Sequence, residues 1–274
     1  MMQDQMKASD SAARSTEVPI HDAEAFESMR QAGQLAAATL DMIGEHVKPG
    51  VTTEELDRIC HDYILAHGAV PAPLNYRGYP KATCISLNEV VCHGIPGGRK
   101  LEKRDLLNID VTVILDGWYG DSSRMYFADE PVTQKLKLCQ VTFEALWRGI
   151  RVVRPGATLG DLGHAIQTYV EGEGFSVVRD YCGHGIGRVF HDTPSVLHYG
   201  KPKTGLTFEA GMLFTIEPMV NLGTYQCKLD KKDGWTVRTQ DGKASAQFEH
   251  TIGVTNDGFE VFTLSPKGLH HPPW

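Results

Sequence analysis

Val47-Lys48-Pro49-Gly50-Val51-Thr52 is followed 106 residues later by Val153-Arg154-Pro155-Gly156-Ala157-Thr158. The register holds beyond the two hexapeptides: Leu56 matches Leu162, Tyr63 matches Tyr169 and Gly68 matches Gly174. Two further echoes fall in the same order. Asn108-Ile109-Asp110 is answered by Thr215-Ile216-Glu217, and His93-Gly94-Ile95 by His184-Gly185-Ile186. Chance similarity of two helix starts explains the first echo but not three in one order. Two copies are too few for a solenoid, so the repeat predicts one domain built from two similar halves.

Each half reads alike. Phe26, Met29, Gly33, Ala36, Leu40 and Ile43 recur every three or four residues, the period of a helix with one apolar face. Pro49-Gly50 breaks that helix, and Thr52 with Glu55 predicts a capping box at the start of the next. Its apolar stripe is Leu56, Ile59, Cys60, Tyr63 and Ile64. The second half repeats the pattern with Phe143, Leu146, Trp147 and Ile150, then Thr158, Leu162, Ile166, Tyr169 and Val170. Helix pairs followed by strands rich in Ile and Val predict an α+β fold, with helices covering one sheet face and the other face free for a site.

Residues 106–115 alternate as a strand, Asp116-Gly117 is a strong hairpin signal, and Trp118 to Met125 form the return strand. A two-residue turn sets Asp110 opposite Ser123 and Asp121 opposite Thr112. Alternation puts all four on one face, with the two aspartates diagonal neighbours about 7–8 Å apart at the backbone. Singly, Asp110 also reads as a buried acid bonded to backbone groups or an arginine, and Asp121 as a loop acid. His184 stands among glycines in Tyr181-Cys182-Gly183-His184-Gly185-Ile186-Gly187. Alone it reads as a satisfied polar residue. Glu217 in Phe214-Thr215-Ile216-Glu217-Pro218-Met219 and Glu249 in Ala246-Gln247-Phe248-Glu249-His250-Thr251-Ile252 each read singly as strand-edge acids. Together, four carboxylates and one imidazole suit hard or borderline divalent ions, including the ion pairs about 3.5–4 Å apart of aminopeptidases and phosphatases.

The 274-residue chain carries 27 Lys and Arg against 34 Asp and Glu, a formal charge of −7, which argues against a nucleic-acid-binding footprint. No apolar run approaches a membrane span. Residues 1–20 are polar and mix Asp4, Asp10 and Glu17 with Lys7 and Arg14. That predicts a flexible tail, with 21–274 as a single catalytic domain. Without an export signal, Cys60, Cys84, Cys92, Cys139, Cys182 and Cys227 are expected as reduced thiols.

Several stretches resemble type I methionine aminopeptidase. They are Cys92-His93-Gly94-Ile95-Pro96, Asn108-Ile109-Asp110-Val111, Gly120-Asp121-Ser122-Ser123, Cys182-Gly183-His184-Gly185-Ile186-Gly187, Ile216-Glu217-Pro218-Met219 and Gln247-Phe248-Glu249-His250-Thr251. The likeness runs from about Asp22 to Leu264. It implies the pita-bread (creatinase/aminopeptidase) fold, two pseudo-symmetric halves with helices on one face of a curved antiparallel sheet. It further implies a dinuclear metalloexopeptidase that removes methionine from nascent polypeptide N-termini when the second residue is small.

By this resemblance Asp110 chelates one ion, Asp121 and Glu249 bridge both, and His184 and Glu217 complete the coordination of the second ion. Cobalt, manganese, iron and zinc all fit. A bridging hydroxide attacks the scissile carbonyl, His191 contacts the scissile amide, His93 steadies the substrate and intermediate, and Glu217 shuttles the proton. The methionine pocket matches Tyr76, Tyr79, Cys84, Phe190 and Trp235, and a monovalent-cation loop matches Asn88, Val90 and Ser245. Pro73 and Arg77 depart from the cysteine and histidine that close relatives often carry. The 32 residues from Glu217 to Glu249 lack the type II insertion, which marks the short, bacterial-like form. A cytoplasmic monomer with a transient ribosome contact, and without sequence-specific nucleic-acid or membrane binding, is the corresponding expectation. Two rivals stand beside it: a prolidase or Xaa-Pro aminopeptidase, which shares fold and ligands, and a non-catalytic binding module on the same fold.

Overall fold

The computed structural model describes residues 17–269 and 271–272. Four helices, α1 (Ala23–Ile43), α2 (Thr53–Ala66), α3 (Thr133–Ile150) and α4 (Leu159–Gly172), form two pairs. The strands of the first half are β1 (Val70–Pro71), β2 (Cys84–Leu87), β3 (Val90–Cys92), β4 (Leu106–Leu115) and β5 (Trp118–Phe127). Those of the second are β6 (Ser176–Val177), β7 (Gly183–Gly185), β8 (Asp192–Val196), β9 (Leu213–Ile216), β10 (Met219–Asn221), β11 (Cys227–Leu229), β12 (Val237–Thr239), β13 (Ser245–Gln247), β14 (His250–Val254) and β15 (Phe259–Val261).

The repeated hexapeptides do the same job twice. Gly50 and Gly156 take φ of 95° and 88°, and Gly68 and Gly174, past the ends of α2 and α4, take 76° and 82°. Only glycine enters that region without strain, which is why these positions echo. Thr52 caps α2 by accepting from the Glu55 backbone N–H at 3.1 Å. The reciprocal capping box expected there forms instead in the second copy. Thr158 accepts from the Asp161 N–H, and the Asp161 carboxylate accepts from the Thr158 N–H at 2.9 Å.

All strand pairs are antiparallel, in four ladders: β4 with β1, β2 and β5; β13-β10-β6; β11-β12-β3; and β15-β14-β9-β7-β8. The sheet is interrupted at Pro218, which has no N–H to give a ladder. Strand alternation then sorts the two faces. Leu107, Ile109, Val111 and Val113 of β4 join α1 and α2 in one core with Met29, Leu40, Leu56 and Ile64. Phe214, Ile216 and Ile252 join α3 and α4 in a second with Leu146, Leu162 and Ile166. Each half thus has its own apolar layer, and polar residues of the same strands face the opposite side.

Residues 1–16 of the expected tail lie outside the described residues. At its inner end Val18 packs against the second core, and the His21 N–H donates to Gly211 O at 2.9 Å. The C-terminal segment is pinned across the helix side by Asp41 of α1. That carboxylate accepts from Arg124 Nη1 at 2.6 Å, Ser265 Oγ at 2.8 Å and the Lys267 N–H at 3.0 Å. Both charges are buried, so removing one leaves the other uncompensated. Asp41→Ala is expected to cost about 3–5 kcal/mol in urea unfolding; a loss below about 1 kcal/mol would show the pair to be effectively solvated.

Candidate metal centre

The β4–β5 hairpin forms in the expected register, with Asp110 opposite Ser123 and Thr112 opposite Asp121. Its turn residues Asp116 and Gly117 both have positive φ, 50° and 79°, as a tight two-residue turn matched to strand twist requires. The next strand over is reached at Ser123, which bridges to Glu249; the Glu249 N–H donates to Ser123 O at 3.1 Å and Ser122 Oγ donates to Glu249 O at 2.7 Å. Met219 opposite Gln247 and Ile216 opposite His250 put Glu217 opposite Glu249. Asp110, Ser123, Glu249 and Glu217 therefore stand side by side on adjacent strands from both halves.

His184 approaches from β7. A Cβ on either flanking glycine would collide with a carbonyl oxygen, that of Thr215 at Gly183 and that of Thr193 at Gly185. His184 Nδ1 lies 3.0 Å from Gly185 O. Donation there puts the proton on Nδ1 and leaves the Nε2 lone pair free, the form a ligand needs. Nε2 is 3.7 Å from both Asp121 Oδ2 and Glu217 Oε1. Ligand atoms of Asp121, His184 and Glu249 all lie within 4.8 Å of one another.

Charge in this cluster is unbalanced. Burial pushes the Asp110 carboxyl up to about 7 and Glu217 up to about 8, where the Asp110 charge adds to the rise and a hydrogen bond from Thr215 opposes it. Burial raises Asp121 and Glu249 well above the carboxylate range, and neighbouring acids raise them further. His184 is pushed down to about 4 by burial. Asp110 Oδ1 is buried and has no hydrogen-bond partner among the described residues. An orphaned acceptor, four acids opposing one another's ionisation and a neutral imidazole fit divalent cations as the missing counter-charge.

Around these five, several side chains hold position that the sequence did not single out. Thr215 Oγ1 accepts from the His184 N–H and donates to Glu217 Oε1 at 2.8 Å, and Gln247 Nε2 donates to Glu217 Oε2 at 3.2 Å. Thr112 Oγ1 donates to Asp121 Oδ1 at 2.8 Å, and Thr251 Oγ1 to Asp121 O at 2.7 Å. Thr112, Thr215 and Gln247 are each two residues from a candidate ligand, so same-face alternation was a usable signal. His198, whose Nε2 accepts from the Glu217 N–H at 3.0 Å, gave none.

The other expected site residues gather in two groups. Tyr76 OH lies 3.0 Å from His191 Nδ1, and its ring centroid is 4.9 Å from that of Phe190. The His191 and His184 rings are 4.3 Å apart, which ties this group to the metal cluster. Tyr79 packs edge-on to Trp235 at 5.2 Å, and His93 lies 6.3 Å from Trp235. Cys84, paired with Asp110 across β2 and β4, lies beside Tyr79. All six cysteines are free thiols. Ser245 donates its N–H to Asn88 O at 2.9 Å, which brings those two together, and Val90 lies nearby on β3. The Asn88 side-chain oxygen is already taken by Lys135 Nζ at 2.6 Å and the Leu106 N–H. Among the described residues no helix is long and apolar enough to cross a membrane.

Because Asp110 and Glu217 titrate near 7 and 8, above their ordinary values of 3.8 and 4.5, these two carboxyls bind more protons in the metal-free native state than in the unfolded chain up to about pH 8. The stability they contribute therefore falls as pH rises through that window. Divalent ions need the ionised form, so binding releases protons. The gain in Tm on adding Mn²⁺ to chelator-treated protein is expected to grow from pH 5.5 to pH 8 in differential scanning calorimetry. A gain that shrinks over that range would contradict the assignment.

Comparison with known proteins agrees with this geometry. The profile of metallopeptidase family M24 matches residues 27–256. The methionine aminopeptidase of Rickettsia prowazekii is 61% identical over 257 residues, 94% of this chain and 99% of that one. The crystal structure of methionine aminopeptidase from Rickettsia prowazekii superposes with a TM-score of 0.90 at 60% identity, covering 90% of this chain and 100% of the other. An Xaa-Pro dipeptidase from Bacillus anthracis shares the fold at a TM-score of 0.73 and 21% identity, with 90% of this chain covering 62% of that longer one. The chain belongs to metallopeptidase family M24 and, within it, to the methionine aminopeptidases.

Proposed function

We propose that the chain removes the N-terminal methionine of nascent proteins and peptides, with Asp110, Asp121, His184, Glu217 and Glu249 holding two divalent ions. The observation that supports this best is the meeting of four carboxylates and one free imidazole nitrogen, drawn from both halves, around an acceptor with no partner. When bound, such ions lower the pKa of a water to near neutrality and polarise a carbonyl. Cobalt, manganese, iron or zinc can serve. The backbone carbonyls around Asn88, Val90 and Ser245 are proposed for a monovalent cation.

The chain's own residues supply orientation and proton transfer. The Tyr76 hydroxyl holds the His191 ring through Nδ1, and His191 hydrogen-bonds the scissile amide. His93 has a left-handed φ of 55° and a ring held between Tyr181 and Trp235. Burial pushes its pKa down to about 4, so it meets the substrate as a neutral hydrogen-bonding partner. Glu217, steadied by Thr215 and Gln247, carries the proton to the leaving amine. Tyr79, Cys84 and Trp235 offer a thioether an apolar, polarisable wall. Tyr76 and Phe190, their ring centroids 4.9 Å apart, complete that methionine pocket, and a cramped adjoining subsite favours a small second residue. Emerging chains as substrates favour a cytoplasmic monomer that visits the ribosome transiently, and ribosome co-sedimentation tests that contact.

Asp110→Ala is expected to lower kcat/KM for Met-Gly-Ser on the order of 10³-fold or more and to reduce the bound metal stoichiometry in the same preparation. Wild-type-like turnover would overturn the ligand assignment. Cleavage of an Xaa-Pro dipeptide in preference to Met-Gly-Ser would favour the prolidase reading.

A further inference from the structure

β5 opens with two aromatic residues, Trp118 and Tyr119, and both engage the irregular loop from Gly187 to His191. The Tyr119 N–H donates to Gly187 O at 2.9 Å. The Arg188 guanidinium carbon lies 4.8 Å from the Trp118 ring centroid, a cation–π distance. The half-buried Tyr119 ring stacks on the buried Phe190 ring, with centroids 5.4 Å apart and planes 19° from parallel. The Tyr76, His184 and His191 rings meet Phe190 at steeper angles, 57°, 78° and 33°. Tyr119 therefore supplies the near-parallel stack on Phe190 among the described residues. Alternation along β5 also puts it on the face of Asp121 and Ser123, two residues from a metal-cluster acid.

We propose that Tyr119 is a positioning residue for methionine binding, whose ring holds the Phe190 wall of the pocket in place. The inference rests on the function proposed above and deepens it. Phe190 and His191 are consecutive, yet they are anchored separately. The Tyr76 hydroxyl holds His191 at 3.0 Å, whereas Phe190 is stacked on Tyr119. Loss of the Tyr119 ring frees the pocket wall and leaves the histidine of the scissile amide held. The bond from the Tyr119 N–H to Gly187 O is main-chain to main-chain, so a side-chain change at 119 removes the stack and keeps the link between strand and loop. An aromatic stack of this kind is worth roughly two- to twelvefold in an equilibrium. A contact with the methionine side chain, remote from the bond that breaks, is the same before and during reaction, so its loss falls on KM and not on kcat.

The test measures hydrolysis of Met-Gly-Ser, and its inhibition by free methionine, in metal-loaded wild type, Tyr119→Ala and Tyr119→Phe. In Tyr119→Ala the KM and the inhibition constant of methionine are expected to rise together, roughly two- to twelvefold. Its kcat stays within about twofold of wild type, and its bound metal stoichiometry is unchanged. Tyr119→Phe, which keeps the flat ring, restores both constants. Should Tyr119→Ala not accumulate as folded protein, Tyr119→Leu fills the space without a flat ring and is expected to show the same split. Unchanged KM and methionine inhibition in the ringless variants overturn the proposal. So does a loss confined to kcat or to bound metal, or a Phe variant as impaired as the ringless ones. Failure of the metal-loaded wild type to cleave Met-Gly-Ser would instead defeat the methionine aminopeptidase reading.

Discussion

Four acids on neighbouring strands repel one another, and the fold accepts that repulsion. Asp110, Asp121, Glu217 and Glu249 are raised by burial and, for all but Asp110, by each other's charges. A protein selected for stability alone would dilute such a cluster. Here the surrounding structure concentrates it: Ser122 and Ser123 fix the Glu249 backbone, Thr251 fixes that of Asp121, and His198 fixes that of Glu217. The destabilisation is carried by two separate apolar cores and becomes affinity once cations enter.

The duplicated architecture explains how such a cluster is reached without long loops. Each half carries an acid at the echoed position, Asp110 in the middle of β4 and Glu217 directly after β9, and pairs that segment with another bearing a second acid, Asp121 on β5 and Glu249 between β13 and β14. Helices shield one face in both halves, so the acids have only the opposite face to occupy. His184 breaks the symmetry. Its counterpart in the echo, His93, lies beside Trp235 in the pocket group, so the two echoed histidines sit in different parts of the site.

Much of this was legible from residue order. The hairpin register followed from Asp116-Gly117 and period-two alternation because a two-residue turn leaves no freedom in the pairing. The helix pairs followed from the Pro-Gly-x-Thr starts. At Thr52 the predicted capping box is one-sided, with Thr52 accepting from the Glu55 N–H, while Thr158 and Asp161 form both bonds. His198 and the Asp41–Arg124–Ser265 knot were not legible. Their partners are far away in sequence, and no local pattern marks a residue whose only role is to hold another from across the fold. Nor did composition reveal the left-handed turn at Asn75 and Arg77, where two ordinary residues occupy a conformation that glycine usually takes.

The most direct measurement is an anomalous-difference map of crystals soaked in Mn²⁺, collected near the manganese absorption edge. Two peaks roughly 3.5–4 Å apart, within bonding distance of the carboxylates of Asp110, Asp121, Glu217 and Glu249 and of His184 Nε2, are predicted. Peaks only on surface acids, with the five side chains engaged elsewhere, would contradict the account.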